Sequence, residues 1–475
     1  MDNALQPGAG PGLLAQNEST FREMRMPSSD QRFSLQLLAI TLIASLGGLL
    51  FGFDTAVIAG TTGALTAFYH LTPLLLGITV SSALWGTVIG AASAGWFSDR
   101  YGRRACLRVL ALLYVLSATG CALTWGWTPL LFFRILSGLA VGGSSVISPT
   151  YIAEIAPPRL RGRLVGLFQF NVVFGILLAY LSNYALGLMH FGAAEWRWKL
   201  GIAALPALLF LLSLFTIPES PRWLIARKRY SEALRVLKLT GMTDAAGELD
   251  EIRNSLEHEN RFHDVRVFQW RYRRLIFLAV SIGLFNQLSG VNAILYYLNS
   301  IFERAGFDQI SSNAQAIVIG LTNLIAVILA MFFIDRIGRR PLLLIGSIGT
   351  AVCLAGVALG FQRHGHQSSL LWLLIGFIGF FSFSQGAVIW VYISEIFPTQ
   401  VRAKGQSIGS FSHWIMNAVI SAAFPIVAAS WGALPFWFFA AMMVLQFFTV
   451  FFFYPETRGI ALESLEAQLL PEQSV

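Results

Sequence analysis

Asp54 lies inside the apolar run Leu-Gly-Gly-Leu-Leu-Phe-Gly-Phe-Asp-Thr-Ala-Val-Ile-Ala-Gly of residues 46–60. An ionisable side chain in hydrocarbon is costly, so it usually faces a bundle interior or a watery cavity and has a partner. Arg134, in the apolar run 128–150, is the matching charge of opposite sign. A guanidinium favours the ionised form of a neighbouring carboxylate, while loss of water favours the protonated form. This pair suits proton binding that follows the opening and closing of a cavity; a static tie between two helices uses the same residues. A second set is neutral. Gln169, Asn286, Gln287, Asn292, Asn323 and Asn417 are amides within apolar runs, accompanied by Tyr296, Tyr297, Trp390 and Trp414. Amides hydrogen-bond a ligand rich in hydroxyls, and aromatic faces cover its apolar ring surface. Any one amide equally suits a helix–helix hydrogen bond, and any one Trp an interfacial anchor.

The elements that must carry these residues follow from composition. Of the 475 residues, 55% are hydrophobic and 12% charged, with a mean hydropathy of +0.64. These values lie outside the soluble globular range and predict an all-α polytopic membrane protein. Twelve runs are long enough to span a bilayer: 36–58, 75–97, 105–125, 128–150, 164–186, 197–217, 274–300, 313–334, 341–361, 369–394, 403–427 and 431–454. The net charge of +8 is explained by topology. Of 33 Lys and Arg, 28 fall before span 1, in the even-numbered loops or the first turn of the spans they lead into, or after span 12. The odd-numbered loops and the span ends that border them hold Arg197, Lys199, Arg304 and Arg363, and Arg134 is intramembrane. Basic residues concentrate on the cytoplasmic side, so both ends and the central loop are expected there, with a bilayer rather than nucleic acid as partner. In this arrangement spans 1 and 4 run oppositely, and Asp54 and Arg134 share a depth of roughly 9 Å from the outer surface.

Three motifs recur at nearly one distance. Asp99-Arg-Tyr-Gly-Arg-Arg104 and Asp335-Arg-Ile-Gly-Arg-Arg340 lie 236 residues apart. The segment from Glu154 to Arg161 and that from Glu395 to Arg402 lie 241 apart, and Pro218-Glu-Ser and Pro455-Glu-Thr lie 237 apart. The chain is therefore two homologous six-span halves. The expected organisation is a disordered cytoplasmic tail over 1–35, a six-helix bundle over 36–218, a cytoplasmic helical linker over 219–272, a second bundle over 273–455 and a tail over 456–475. The motif charges Arg103, Glu154, Arg161, Glu219, Arg222, Arg339, Glu395, Arg402 and Glu456 are expected to latch the halves together at the cytoplasmic face. The three cysteines show no pairing or metal spacing. Neither a catalytic elbow, a metalloprotease motif nor an ATP-binding loop is present in the sequence, so no enzyme activity, metal or cofactor is expected.

With these motifs in place the chain resembles the sugar porter family of the major facilitator superfamily, and within it the bacterial sugar–proton symporters. The carriers are Gly-Gly-Leu-Leu-Phe-Gly-Phe-Asp54, both Asp-Arg-x-Gly-Arg-Arg loops, Pro218-Glu-Ser-Pro-Arg-Trp-Leu224, Gln287-Leu-Ser-Gly-Val-Asn292 and Pro455-Glu-Thr-Arg-Gly459. The resemblance implies two pseudo-symmetric six-helix bundles with a substrate between them near the midplane. It implies sugar contacts at Gln169, Gln287, Asn292, Asn323 and Trp390, an outer gate beside Tyr296 and Tyr297, and proton coupling at Asp54. The expected activity is import of a monosaccharide, hexose or pentose, with protons by a monomer in the inner membrane. An uncoupled facilitator, a polyol or inositol carrier, and a non-transporting receptor are the alternatives. The chain departs from the family pattern at Asn286, at Ile176 and His413, where relatives carry amides, and at Ala387, where a proline is common.

Overall fold

A computed structural model describes residues 34–242, 244–261, 267–363, 367–398 and 400–460. The expected tails over 1–35 and 456–475 fall mostly outside these residues. Among the described residues, twelve helices are long and apolar enough to cross a bilayer: Leu35–Gly60, Pro73–Tyr101, Arg103–Leu123, Trp127–Ile155, Arg161–Leu188, Gly192–Ser213, Trp270–Tyr296, Gln309–Ile337, Arg339–Gln362, Ser369–Ile396, Lys404–Trp431 and Leu434–Phe453. These are numbered spans 1 to 12. Span 6 begins five residues earlier than hydropathy alone places it, which puts Arg197 and Lys199 inside the helix rather than at its first turn.

Local chemistry sets the helix ends. Span 2 starts at Thr72, whose hydroxyl accepts from the Leu75 amide, with Pro73 as the first helical residue. It stops at Gly102, where φ is +94°, and span 8 stops the same way at Gly338, with φ of +102°. Each Asp-Arg-x-Gly-Arg-Arg motif is thus a helix, a left-handed break and a new helix. Span 7 is broken at Gly290, with φ of +79°, into Arg273–Leu288 and Val291–Tyr296, followed by a short helix Leu298–Arg304. Span 10 breaks at Ser384 between Gln367–Phe383 and Gln385–Ile396.

Spans 1–6 and 7–12 form the two bundles. Small residues permit close approach within them: a Cβ at Gly138 of span 4 would lie 1.8 Å from the carbonyl oxygen of Ala83 in span 2. Large apolar residues such as Leu205, Trp372 and Phe452 stand exposed on the outer surface, as lipid contact requires. Between the bundles, Pro221–Ala226, Tyr230–Leu239 and Ala245–Arg261 form short polar helices. Among the described residues, three hydrogen bonds join the halves at the end opposite the basic motifs. The Thr62 and Ser300 hydroxyls are 3.1 Å apart, the Tyr180 hydroxyl donates to the Leu295 carbonyl at 3.1 Å, and the Gln309 amide donates to Glu195 at 3.1 Å.

Candidate substrate and proton site

Span 1 carries Asp54 one turn before its α-helix gives way to a 3-10 turn, and span 4 brings Arg134 alongside. The Arg134 Nη1 donates to Asp54 Oδ1 at 3.1 Å, and the Ser137 hydroxyl donates to the same oxygen at 2.6 Å. The arginine side chain is 4% exposed and the carboxylate 19%, and both line one cavity. Phe51, Thr55, Thr87, Tyr296 and Trp414 share that cavity, and the rings of Phe51 and Trp414 are 5.6 Å apart. Phe51, Thr55 and Thr87 come from the first half, Tyr296 and Trp414 from the second. The acid therefore opens onto the seam between bundles.

The second half lines its side of the seam with a connected amide chain. The break after Leu288 turns Asn292 back so that its amide donates to Gln287 Oε1 at 3.1 Å. Gln287 Nε2 donates to Asn286 Oδ1 at 3.2 Å and lies 3.1 Å from the nearer ring nitrogen of His413. His413 is flanked by Trp390 and Trp414, each with its ring centroid 5.1 Å away. The Asn417 amide donates to the Tyr296 hydroxyl at 3.3 Å, and the Ser382 hydroxyl donates to Asn323 Oδ1 at 2.7 Å. Across the seam Gln169 is half-buried on span 5, with its amide unengaged among the described residues. Tyr296 and Tyr297 diverge: Tyr296 faces the Asp54 cavity, whereas the Tyr297 hydroxyl donates to the Ser421 carbonyl at 2.9 Å and its ring stacks on Phe424. Tyr297 is thus held against span 11 rather than across the opening. The helix carrying Gln287 is interrupted at Gly290 before Asn292 and Tyr296, and it is the break that lets Gln287 and Asn292 meet.

The motif charges form two matching networks. Arg103 Nη2 lies 3.0 Å from Asp99 and 2.9 Å from Glu154, and Arg339 lies 2.9 Å from Asp335 and 2.8 Å from Glu395. Glu219 accepts from the Arg104 amide, and Glu456 from the amides of Arg339 and Arg340, each at 3.0 Å. Ser220 and Thr457 donate their hydroxyls to Glu154 at 2.5 Å and Glu395 at 2.6 Å. Arg222 acts electrostatically on Glu154, Arg161 acts on Glu248 of the linker, and Arg402 Nε donates to the Phe397 carbonyl at 3.3 Å. With the outer end closed, none of the ion pairs described for Arg103 and Arg339 reaches the other half. The ion pairs of Arg103 and Arg339 close within their own halves, because each left-handed break turns its arginine toward Glu154 or Glu395 of the same bundle.

Three features escaped the sequence reading. Ser137 is Asp54's second partner and is one turn from Arg134, a spacing visible only once Arg134 is known to face Asp54. Ser220 and Thr457 follow the motif glutamates in both halves, a signal the repeat itself carried. Lys199 proves to be a buried intramembrane charge, with 1% of its side chain exposed. No cluster of His, Cys, Asp and Glu able to hold a metal occurs among the described residues.

Two six-helix bundles with a polar site at their seam define a membrane transporter of the major facilitator architecture. The Sugar (and other) transporter family matches residues 40–469. The arabinose-proton symporter of Bacillus subtilis (strain 168) is 37% identical over 458 residues, covering 95% of this chain and 98% of that protein. The D-xylose-proton symporter of Escherichia coli (strain K12) is 36% identical over 481 residues, covering 92% and 97%. Among solved structures, the inward open conformation of the xylose transporter XylE from E. coli superposes with a TM-score of 0.81 at 35% identity, covering 91% of this chain and all of that one. The XylE structure bound to 6-bromo-6-deoxy-D-glucose gives 0.76 at 34% identity, covering 92% and 100%. The chain belongs to the Sugar (and other) transporter family. It is a multi-pass inner-membrane protein and not an enzyme.

Proposed function

We propose that the protein is a secondary active transporter that imports a monosaccharide together with protons by alternating access. One observation carries the reading: the Asp54–Arg134–Ser137 cluster of one bundle opens onto the cavity that Tyr296 and Trp414 of the other bundle line. A carboxylate at this seam gains or loses a proton as the bundles rock, and the same motion exposes the amides to either side. The related symporters of arabinose and xylose support sugar and proton as the transported pair.

In this reading Gln169, Gln287, Asn292, Asn323 and Asn417 hydrogen-bond sugar hydroxyls, with Asn286 and His413 supporting Gln287. Trp390 and Trp414 supply the apolar faces, and Tyr296 joins substrate occupancy to the acid. The two charge networks brace the helix ends of each bundle at the cytoplasmic face. Residues 36–218 and 273–455 act as the moving bodies, 219–272 as the cytoplasmic linker, and the functional unit is a monomer. The bonds Thr62–Ser300, Tyr180–Leu295 and Gln309–Glu195 all lie at the outer end, which supports an inward-facing state.

The test is uptake of labelled hexoses, pentoses and inositol into proteoliposomes, with and without an inward proton gradient. Accumulation above equilibrium only with the gradient is expected, and the responsive sugar names the substrate. Equilibration indifferent to the gradient overturns coupling and leaves a facilitator.

A further inference from the structure

Lys199 has no role in the site described above, yet it is the most deeply buried lysine among the described residues. A buried ammonium is retained only where it is paired and hydrogen-bonded. Lys199 forms an ion pair with Glu195, one helical turn earlier, and donates to the Gly60 carbonyl at 3.0 Å. Gly60 closes the 3-10 turn that ends span 1, six residues beyond Asp54. The carbonyls at a helix C-terminus lack intrahelical partners and carry partial negative charge, so a cation there satisfies and stabilises them. Asn183 performs the same service one turn back, donating to the Val57 carbonyl at 3.2 Å.

Glu195 faces the other way as well. Its Oε1 accepts from the Gln309 amide at the start of span 8, in the second bundle. The chain of contacts therefore runs from Gly60 through Lys199 and Glu195 to Gln309 and crosses between bundles at its last link. Beside it lies the Thr62–Ser300 bond, which joins the segment just after Gly60 to the short helix after span 7. Glu303 of that short helix also lies near the lysine: burial pushes its carboxyl above the ordinary range, and the charge of Lys199 draws it back down. The lysine's direct partners, Glu195 and the Gly60 carbonyl, belong to the first bundle, and the second bundle reaches it through Gln309 on Glu195 and the charge of Glu303.

We propose that Lys199 and Glu195 form an outer clasp that ties closure of the outer face to the end of the helix carrying Asp54. Opening this face pulls Gln309 from Glu195 and separates Lys199 from Glu303, while the Lys199 contact with Gly60 stays within the first bundle. The clasp biases the resting protein toward the inward-facing state and gives the end of span 1 a fixed anchor when it does so. Lys199 is here a positioning residue, acting on Asp54 through the terminus of span 1.

The proposal rests on the alternating-access reading only in that the outer end opens, and its test is independent of sugar. Nitroxide labels at Phe191→Cys and Ile310→Cys, both on exposed outer positions of opposite bundles, report the outer separation by pulsed electron resonance. Gln309→Ala removes the crossing bond without touching a buried group, and Lys199→Met replaces the cation with an apolar chain of similar length. Each is expected to raise the ratio of wide to narrow separations by about three- to tenfold, the effect of losing one hydrogen bond. Lys199→Met is expected also to alter the proton-gradient dependence of uptake, whereas Gln309→Ala changes only the separation ratio. An unchanged distribution in folded Gln309→Ala protein overturns the clasp. A shifted distribution in a protein that moves no sugar would sustain the clasp and refute the transport reading.

Discussion

Replacing Asp54 with asparagine is expected to separate proton coupling from sugar passage. Asparagine keeps an oxygen where Arg134 and Ser137 donate, at 3.1 and 2.6 Å, but no longer titrates. Asp54 is the one carboxylate among the described residues lining the seam cavity, so the expectation is worked for one proton per cycle. With one proton per sugar and no membrane potential, an inward gradient of one pH unit supports at most about tenfold accumulation, because a tenfold ratio on either side is worth about 1.4 kcal/mol. The variant is expected to reach a ratio of about one while still exchanging labelled for unlabelled sugar across the vesicle. Removing a buried partner leaves Arg134 without its counter-charge, at a cost of about 3 kcal/mol or more where nothing relaxes. Thermal unfolding in detergent must therefore accompany the assay, and the retained acceptor oxygen is expected to limit the loss. Accumulation above equilibrium by folded Asp54→Asn protein would refute the assignment.

Three further outcomes follow from the geometry. Gln287→Ala removes the amide that joins Asn286, Asn292 and His413, and is expected to raise the KM for exchange by about tenfold through one lost hydrogen bond, with the proton-to-sugar ratio unchanged. Gly290→Ala places a Cβ 2.3 Å from the Phe439 ring at a φ of +79°, and is expected to lower stability by about 1–3 kcal/mol and transport with it, as measured by thermal unfolding and uptake. Arg103→Met and Arg339→Met are expected to destabilise unequally: Glu154 is 8% exposed and Glu395 27%, so the first strands the drier carboxylate and should lower the melting temperature further.

What the order of residues alone determined is considerable and has a physical cause. Bilayer thickness converts apolar length into spans, and the cost of burying charge makes Asp54 and Arg134 conspicuous at one depth; their contact needed only the antiparallel direction of spans 1 and 4. Repeated motifs exposed the two halves, and the amide positions were legible because few polar side chains interrupt these runs. Tertiary structure decided the rest, because it depends on which surfaces meet across hundreds of residues. Glycine at 290 is compatible with a continuous helix or a break, and only packing against Phe439 and the turn to Asn292 selects the break. The charge motifs read alike whether they link bundles or brace each one; the left-handed turns at Gly102 and Gly338 direct Arg103 and Arg339 inward to their own bundle. Lys199 reads as the edge of a span by hydropathy, since a charge lowers the average that locates one. Only the fold supplies Glu195 and the Gly60 carbonyl as its partners, and with them the reason a lysine is tolerated there.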